Sequence, residues 1–407
     1  MLKPLFINRN YRFDDSPGGE CLRAFIGAMD KLEWSPVVYA SDRTPLVEPV
    51  EDFVTMTHER RYVQYEYAAI RRVLPDLTFL PDYVWSAWGK RASKQVVKDI
   101  QRGVVAPDYI HSVSYPVASQ WAALKVKRAT GLPWVMQFYD PWADSPFRPF
   151  RTKWLKSKDW AMEREAVDSA DLIIHDNEII ADIWRERYGA EIAKKIVVLP
   201  LTVPLPNTKV EERRRAEGEP LVISHIGNFT SVRKAKPFIN GVLELLQNHP
   251  ELKSMLRVNF IGQVYDDDKD LIRMNNLTDI FKLHGTLPIE ECEKFYQETD
   301  VFLAEEGVTP DNRFFFPSKI LKYFYFQRPI LGISPKGSVL DYELRKSGHC
   351  VFDNSDNKGI AEFLYRAITD YGSYLNFDRE YWHRFEPKSV VSQYRTLVET
   401  LLKNHAR

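Results

Sequence analysis

The residues best suited to chemistry stand in one segment, 316–329, where Phe-Pro-Ser-Lys leads on to Arg-Pro. The Pro-Ser pair is typical of a first helical turn, and the apolar run before it, which ends in Glu305 and Glu306, is typical of a strand. The amides at a helix start carry the positive end of its dipole, so with Ser318 and Lys319 they can bind an anion. The segment therefore predicts a phosphate site, with an ordinary capped helix as the alternative.

A second group of charged residues follows a predicted strand that ends at Gly227. Arg233 can hold a phosphate through two parallel hydrogen bonds, and Lys234 or Lys236 can add a point charge. Such cations can neutralise the charge that grows on a departing diphosphate. No Asp-x-Asp sequence stands at a strand end, and we predict that the acidic run 266–268 is a solvated turn. The pattern favours an anionic leaving group that Arg and Lys stabilise without a metal.

Two loops in the first half of the chain offer further binding groups. Gly18 and Gly19, between the first predicted strand and helix, let the backbone approach a ligand closely at a helix start. A plain tight turn is the alternative. Asp140 follows a predicted strand and can bond a sugar hydroxyl or orient an acceptor. Trp142 can stack on a sugar ring. The alternative is that Asp140 and Pro141 form a turn with the indole of Trp142 packed beneath it.

A basic and aromatic stretch at 148–160 follows directly, and Asp159 is its only acid. This mixture suits peripheral contact with a membrane surface. A solvated helix face with a few buried aromatic residues is the alternative. Nucleic acid is not an expected partner, because Lys plus Arg and Asp plus Glu balance at 56 each over the chain.

Short apolar runs alternate with longer amphipathic runs, which predicts strands joined by helices and hence parallel sheets with helices on both faces. A chain of 407 residues is too long for one ordinary core, so we expect two domains. The stretch 202–220 is rich in proline and charge and predicts the linker. We therefore expect one doubly wound α/β domain over 1–203, a second over 204–383, and a last helix over 384–407. Ligands of open parallel sheets bind beyond the carboxyl ends of the strands.

Cysteine usage and hydropathy bear on location. Cys21, Cys292 and Cys350 lie far apart without metal-ligand spacing, so we expect reduced, buried thiols. No apolar run approaches the roughly 20 residues of a spanning helix, and the N-terminal apolar run is too short for a signal peptide. We therefore expect a cytoplasmic protein, with the inner face of the cell membrane as a further location.

Several ordered pieces of the chain resemble glycosyltransferase family 4, the retaining GT-B family of bacterial surface-polysaccharide synthesis. The pieces are the Pro-Gly-Gly sequence at 17–19, the stretch 107–144 that ends in Tyr-Asp-Pro-Trp-Ala-Asp, the helix–strand–helix at 163–189, the strand end and basic loop at 225–236, and the donor motif at 316–333. The resemblance implies two Rossmann-like domains that face a central cleft, with the last helix crossing back to the first domain.

The resemblance also implies the chemistry. A nucleoside-diphosphate sugar would be the donor, with no other cofactor and no metal, and a glycan or lipid-linked saccharide would be the acceptor. By the same resemblance, the anomeric configuration is retained. The catalytic candidates are Asp140, Arg233 and Lys234. The candidates for donor binding are Gly18, Gly19, Glu305, Glu306, Ser318, Lys319 and Lys322.

Two positions depart from the family pattern. Lys322 stands where members of this type have a glutamate that binds the donor ribose, and a lysine cannot accept hydroxyl hydrogens. The nearest carboxylates in sequence are Glu305, Glu306 and Asp311. Gln327 replaces a usual glycine. Two other functions therefore stay open: a sugar-nucleotide epimerase on the same fold, and a catalytically impaired protein that binds an active transferase.

Overall fold

A computed structural model describes the chain at residues 1–13, 16–42, 51–57, 86–114, 117–145, 152–206, 210–211, 213, 215–216, 218–308 and 315–406. The chain divides into two compact units. The first comprises Met1–Pro204 and Arg384–Arg407, and the second comprises Leu205–His383. Of the predicted features, Asp311 and residues 148–151 lie outside the described residues.

The first unit is built on a parallel sheet. Its strands are β1 (Pro4–Ile7), β2 (Val37–Ser41), β3 (Val54–Thr57), β4 (Tyr109–Ser114), β5 (Trp134–Phe138), β6 (Leu172–His175) and β7 (Ile196–Val198). They run side by side in the order β3-β2-β1-β4-β5-β6-β7. Every residue of β1, β4, β5 and β6 is buried, because both faces of these central strands are covered.

The connections of this unit are helices. They are α1 (Pro17–Gly27), α2 (Ser86–Gln101), α3 (Ala118–Thr130), α4 (Lys153–Ser169), α5 (Glu178–Tyr188) and α6 (Ala190–Ala193). Three of them begin after a side chain that caps a free amide: Ser16 for α1 at 3.1 Å, Thr152 for α4 at 3.3 Å and Asn177 for α5 at 3.0 Å. These caps fix where each helix starts after its strand.

The second unit repeats the plan. Its strands are β8 (Leu221–Ile226), β9 (Leu256–Ile261), β10 (Phe281–Gly285), β11 (Val301–Glu305), β12 (Ile330–Ile333) and β13 (Cys350–Phe352), in the order β10-β9-β8-β11-β12-β13. Its helices are α7 (Lys236–Asn248), α8 (Asp266–Met274), α9 (Ile289–Glu298), α10 (Lys319–Phe326), α11 (Val339–Lys346) and α12 (Asn357–Thr369). One core cluster joins this sheet to α7 and α12. Gly241 of α7 allows that packing, since a Cβ there would overlap Ile360.

The last helix, α13 (Pro387–His405), returns to the first unit, as the resemblance predicted. Val390, Val391 and Val398 are buried in the core that also contains α1 and the first sheet. The Tyr394 hydroxyl bonds Nδ1 of buried His111 at 2.5 Å. Burial lowers the pKa of His111 to about 3, so this imidazole stays neutral and holds the helix by a hydrogen bond.

The sequence patterns do not predict β3, α2, α6, α8 or α11. The acidic run 266–268, predicted as a solvated turn, is the first turn of α8. Asp268 is 1% exposed and accepts a hydrogen bond at 3.1 Å from the Ala235 amide, where α7 begins. The prediction was wrong because the charges of α8 hide its short apolar face at Ile272. No helix in the described part of the chain has the length and apolar character needed to cross a membrane.

Candidate functional site

The strand order of the second unit reverses between β8 and β11. Open parallel sheets bind ligands at such a point, beyond the carboxyl ends of the strands. His225 lies one residue before the end of β8, and Glu305 ends β11. The same edge holds further residues from the adjoining loops and the start of α10: Gly227, Arg233, Glu306 and Lys319.

Lys319 lies beside the end of β8. Its Nζ is 2.7 Å from Nε2 of His225, and a Cβ on Gly227 would stand 3.6 Å from that Nζ. Gly227 has a φ of 138°, which favours glycine, so this position keeps space in front of the lysine. Burial, with Arg233 nearby, lowers the pKa of Lys319 to about 7. An anion bound here would raise the pKa of Lys319 again, so binding would be accompanied by proton uptake.

His225 positions the lysine. Its imidazole is fully buried and stacks on Phe229 with the ring centroids 4.0 Å apart. Burial and the charge of Lys319 hold the pKa of His225 well below its ordinary value, so Nε2 can accept the lysine hydrogen. Sequence reasoning missed His225 because a histidine inside an apolar strand looks like a core residue. Its place one residue before the strand end was the available signal.

Glu305 is a buried carboxyl group that has no hydrogen-bond partner in the described part of the chain. Its side chain is 1% exposed, and neither oxygen has a hydrogen-bond partner among the described residues. Burial raises the pKa of Glu305 well above its ordinary value, and Lys319 and Arg233 offset part of that effect. An unsatisfied buried carboxyl is unfavourable for folding. A ligand hydroxyl would supply the missing hydrogen bond.

Arg233 is held by the chain itself. Its NH2 group donates to both oxygens of Glu306, at 3.0 and 2.8 Å. Glu306 also accepts from the Gly307 amide at 3.1 Å. Glu306 therefore orients the guanidinium and neutralises part of its charge, which leaves less of this carboxylate for a ribose.

Lys234 and Lys322 have other neighbours. Lys234 forms an ion pair with Asp267 in α8 and lies 5.7 Å from the centroid of the Tyr265 ring. Lys322 is half-buried, and its charge acts on the thiol of Cys292 in α9. The cations whose charge acts on Glu305 are instead Lys319 and Arg233. The structure thus brings Lys319 and Arg233 together, while Lys234 and Lys322 have other neighbours.

The start of α10 offers unused donors. Ser318 stands at the N-cap, and its hydroxyl makes no capping bond. The amides of Ser318 and Lys319 have no backbone acceptor in the described part of the chain. One turn on, the Tyr323 hydroxyl accepts from the Ile226 amide at 2.9 Å and ties α10 to the end of β8. Free helix amides therefore face the same edge as Lys319.

Asp140 of the first unit follows β5 and is partly exposed. Its carboxylate has no hydrogen-bond or ion-pair partner among the described residues, and burial raises its pKa to about 6. The neighbouring Tyr139 packs on Gly18, where a Cβ would stand 3.4 Å from the tyrosine ring. Asp140 and Gly18 therefore lie near each other at the carboxyl edge of the first sheet.

Two expectations for this unit are corrected. Trp142 does not offer a face to a sugar, because its indole is fully buried and Nε1 donates to Asp159 at 3.0 Å. Gly18 and Gly19 lie in the first turn of α1 rather than in an open loop. The Gly19 amide already donates to Ser16 at 3.1 Å, and a Cβ on Gly19 would stand 2.5 Å from a backbone oxygen. A role for either glycine in donor binding stays a prediction.

The described part of the basic stretch lies on α4. Lys153, Lys156 and Lys158 are exposed, and Trp154 is 66% exposed. Asp159, the only acid of the stretch, is buried beneath them. The exposed face of this helical segment therefore carries three lysines and one aromatic ring, and none of its described exposed residues is acidic. Within the described residues, no group of His, Cys, Asp or Glu is arranged to hold a metal ion.

Two parallel sheets of seven and six strands with flanking helices define a GT-B glycosyltransferase fold, as predicted. HepE from Anabaena, solved with UDP and glucose, matches with a TM-score of 0.63 at 11% identity over 98% of this chain and 100% of that chain. The lipopolysaccharide outer core galactosyltransferase WaaB matches with 0.64 at 12% identity over 98% and 99%. Sucrose-phosphate synthase from Thermosynechococcus elongatus matches with 0.63 at 12% identity over 99% and 100%.

The sequence match is confined to the first half of the chain. Residues 21–205 match the model of Glycosyltransferase Family 4. No curated protein matches the chain in sequence. The family match and the GT-B fold together confirm the resemblance to family 4 that the sequence shows.

Proposed function

We propose that the chain transfers a sugar from a nucleoside-diphosphate sugar to a glycan or lipid-linked saccharide, with retention and without a metal. The donor phosphates bind at Lys319, Arg233 and the first amides of α10. The acceptor binds near Asp140. The reaction serves cell-surface polysaccharide assembly on the cytoplasmic side of a membrane.

The observation that carries this proposal is the group formed by Lys319, Arg233 and Glu305 at the carboxyl edge of the second sheet. Two cations and free helix amides match the charge that develops on a departing diphosphate. The orphaned carboxyl of Glu305 matches a donor hydroxyl and could take over from the glutamate that Lys322 replaces. HepE was solved with UDP and with UDP-glucose, which makes a uridine nucleotide the first donor to test.

Retention follows from attack on the face that the diphosphate leaves. The acceptor oxygen bonds to the anomeric carbon while the bond to the phosphate oxygen breaks, and that phosphate oxygen takes the acceptor proton. Lys319 and Arg233 stabilise the departing charge. Asp140, whose pKa is raised to about 6, holds the acceptor hydroxyl by a hydrogen bond. The chain then needs no dedicated nucleophile.

Peripheral membrane contact through 148–160 belongs to the same proposal. The exposed lysines of α4 and Trp154 support it, because cations attract anionic headgroups and a tryptophan ring suits the interface. Cosedimentation with vesicles tests it. We expect binding to vesicles with anionic lipid to weaken several-fold in Lys153→Gln/Lys156→Gln, and equal binding by variant and wild type would refute it.

A second candidate is a catalytically impaired protein that binds an active transferase. One observation favours it: Arg233 and Lys234 are already paired within the chain, so fewer cations are available to a diphosphate. Nothing in the described residues favours the epimerase.

Calorimetric titration with UDP, GDP, ADP and CMP, followed by a mass-spectrometric screen of donor sugars, separates the candidates. Loss of one charge-assisted contact costs about 1.5–3 kcal/mol, so we expect Lys319→Met to weaken nucleotide binding by roughly tenfold to hundredfold. Lys322→Met is the matched control and should bind nearly as wild type does. Absence of any nucleotide binding would favour the impaired partner. An equal loss of nucleotide affinity in Lys322→Met would mean that the phosphate site does not depend on Lys319 in particular.

A further inference from the structure

Within the described residues, one face of the second sheet is not covered by a helix at β9 and β10. Successive strand residues point to opposite faces, so Val258 and Phe260 enter the core while Arg257 and Asn259 face the other way. Doubly wound sheets ordinarily cover both faces with helices. Here a cavity of about 490 Å³ lies between this face and α9. We call it the β9–β10 pocket, and its lining residues are Arg213, Val222, Arg257, Asn259, Lys282, His284, Lys294, Phe295 and Glu298.

The charge of the β9–β10 pocket is positive. Arg257, Lys282 and Lys294 are exposed and have no ion-pair partner among the described residues. Arg213 is neutralised by Asp300 at 3.0 Å, with Glu219 at 3.4 Å. Glu298 is the single acid in the lining. Four cations therefore face three carboxylates when the two partners of Arg213 are counted, which leaves a small excess of positive charge.

The floor of the pocket presents the side-chain amide of Asn259. Asn259 is 6% exposed, and its Oδ1 lies 3.0 Å from Nε2 of His284. Because the amide oxygen accepts, its NH2 group is left without a hydrogen-bond partner in the described part of the chain. The Phe295 ring lies 4.6 Å from the His284 ring and 4.9 Å from Nζ of Lys294. Phe295 thus fixes both polar groups at the wall.

We propose that the β9–β10 pocket binds a phosphomonoester of metabolite size. Such a group carries about −1.5 to −2 charges near neutral pH and offers three acceptor oxygens, which complements Arg257, Lys282 and Lys294 and the Asn259 donor. Small-molecule sites have volumes of about 300–1,000 Å³, and the pocket lies in that range. Its lining shares no residue with the edge at Lys319, so it is a second site within the same unit.

The test is calorimetric titration of the full chain with glucose 6-phosphate and with inorganic phosphate, and glucose is the neutral comparison. All titrations use protein that carries Lys319→Met, so that phosphate binding at the proposed donor site contributes little to the signal. We expect both phosphates to bind and glucose not to bind. We expect Lys282→Gln/Lys294→Gln to weaken binding at least tenfold. The matched control is Lys90→Gln/Lys94→Gln on the exposed face of α2, and its phosphate affinity should stay within twofold of the protein without these two changes.

Asn259→Asp provides a sharper variant. It keeps the shape of the side chain and the bond to His284 but places a negative charge at the floor, so phosphate binding should be lost. Thermal unfolding of each variant checks folding, and the lysine pair decides the matter where Asn259→Asp fails to fold. The proposal is overturned if neither phosphate binds or if Lys282→Gln/Lys294→Gln leaves the affinity unchanged. It is also overturned if the control variant loses as much affinity as the pocket variant.

Discussion

Lys319 couples nucleotide binding to pH. Burial sets its pKa at about 7 in the free protein, whereas a bound diphosphate requires the charged form. As the pH rises above 7, the free protein loses that proton, and binding must restore it. We therefore expect the affinity for UDP to fall above pH 7 by up to about tenfold per pH unit. Titrations from pH 6.5 to 9, in two buffers of different ionisation enthalpy, measure the affinity and the proton uptake.

Lys319→Arg is the control for this dependence. Arginine keeps its charge throughout this range, so its affinity should stay flat above pH 7. The interpretation is wrong if the affinity of wild type for UDP also does not change above pH 7, or if it falls with pH equally in Lys319→Arg and wild type.

Glu305 links pH to stability. Its pKa is raised in the folded chain above the ordinary value of 4.5, so the unfolded chain loses this proton first as the pH rises. Its contribution to stability is therefore full below pH 4.5 and falls as the pH rises towards the folded pKa. Glu305→Gln keeps the shape without the titration. We expect the unfolding free energy of the variant, minus that of wild type, to grow by up to about 1.4 kcal/mol per pH unit.

Denaturant unfolding at pH 4.5, 6 and 7.5 measures this difference. Glu291→Gln, at an exposed position of α9, is the matched control and should show a difference that stays near zero. A pH-independent difference for Glu305→Gln would mean that the carboxyl group has a partner when folded.

The end of α10 carries backbone strain. Gln327 caps the helix with φ 52° and ψ 46°, the left-handed conformation. This conformation costs a residue with a side chain about 1–2 kcal/mol, while glycine loses about 0.5–1 kcal/mol through its more flexible unfolded state. We expect Gln327→Gly to stabilise the second unit by about 0.5–1 kcal/mol in denaturant unfolding. Gln327→Ala keeps the strain and should not stabilise, so equal gains from both variants would contradict this account.

The elements that the sequence predicts are those whose local pattern agrees with their packing. β8 is an apolar run buried along its whole length, and α7 has a continuous apolar face. α8 escapes prediction because its buried contacts are Asp268 and Ile272, one of them charged. Trp142 shows the same limit, since only the tertiary position of Asp159 reveals that the indole is buried.

The candidate site, too, can be predicted from the sequence only in part. Ser318, Lys319 and Arg233 can be chosen from sequence because a helix start and a basic loop after a strand are local patterns. The partners that tune them are not local: His225 lies 94 residues from Lys319, and Glu306 lies 73 residues from Arg233. The β9–β10 pocket depends on strand pairing, which sets which residues of β9 and β10 share a face.

At the scale of the whole molecule, the two units differ in how the chain builds them. The second is continuous from Leu205 to His383, whereas the first needs Arg384–Arg407 to complete its core. Val390, Val391, Tyr394 and Val398 of α13 are buried there. Burying such side chains stabilises by roughly 1.5–3 kcal/mol each, and a whole domain is stable by only about 5–15 kcal/mol.

We therefore expect a chain that ends at His383 to lose the first unit and keep the second. Thermal unfolding should show one cooperative transition, and limited proteolysis should leave a protected fragment that starts near Leu205. UDP should shift that transition upward, because the candidate donor site lies wholly within the second unit. Tyr394→Phe in the full chain is the milder counterpart: it removes the bond to His111 and should cost the first unit about 1–3 kcal/mol. If the truncated chain still shows a separate unfolding transition for each unit, α13 is not needed for the first unit to fold. If it shows no transition, the second unit does not fold alone.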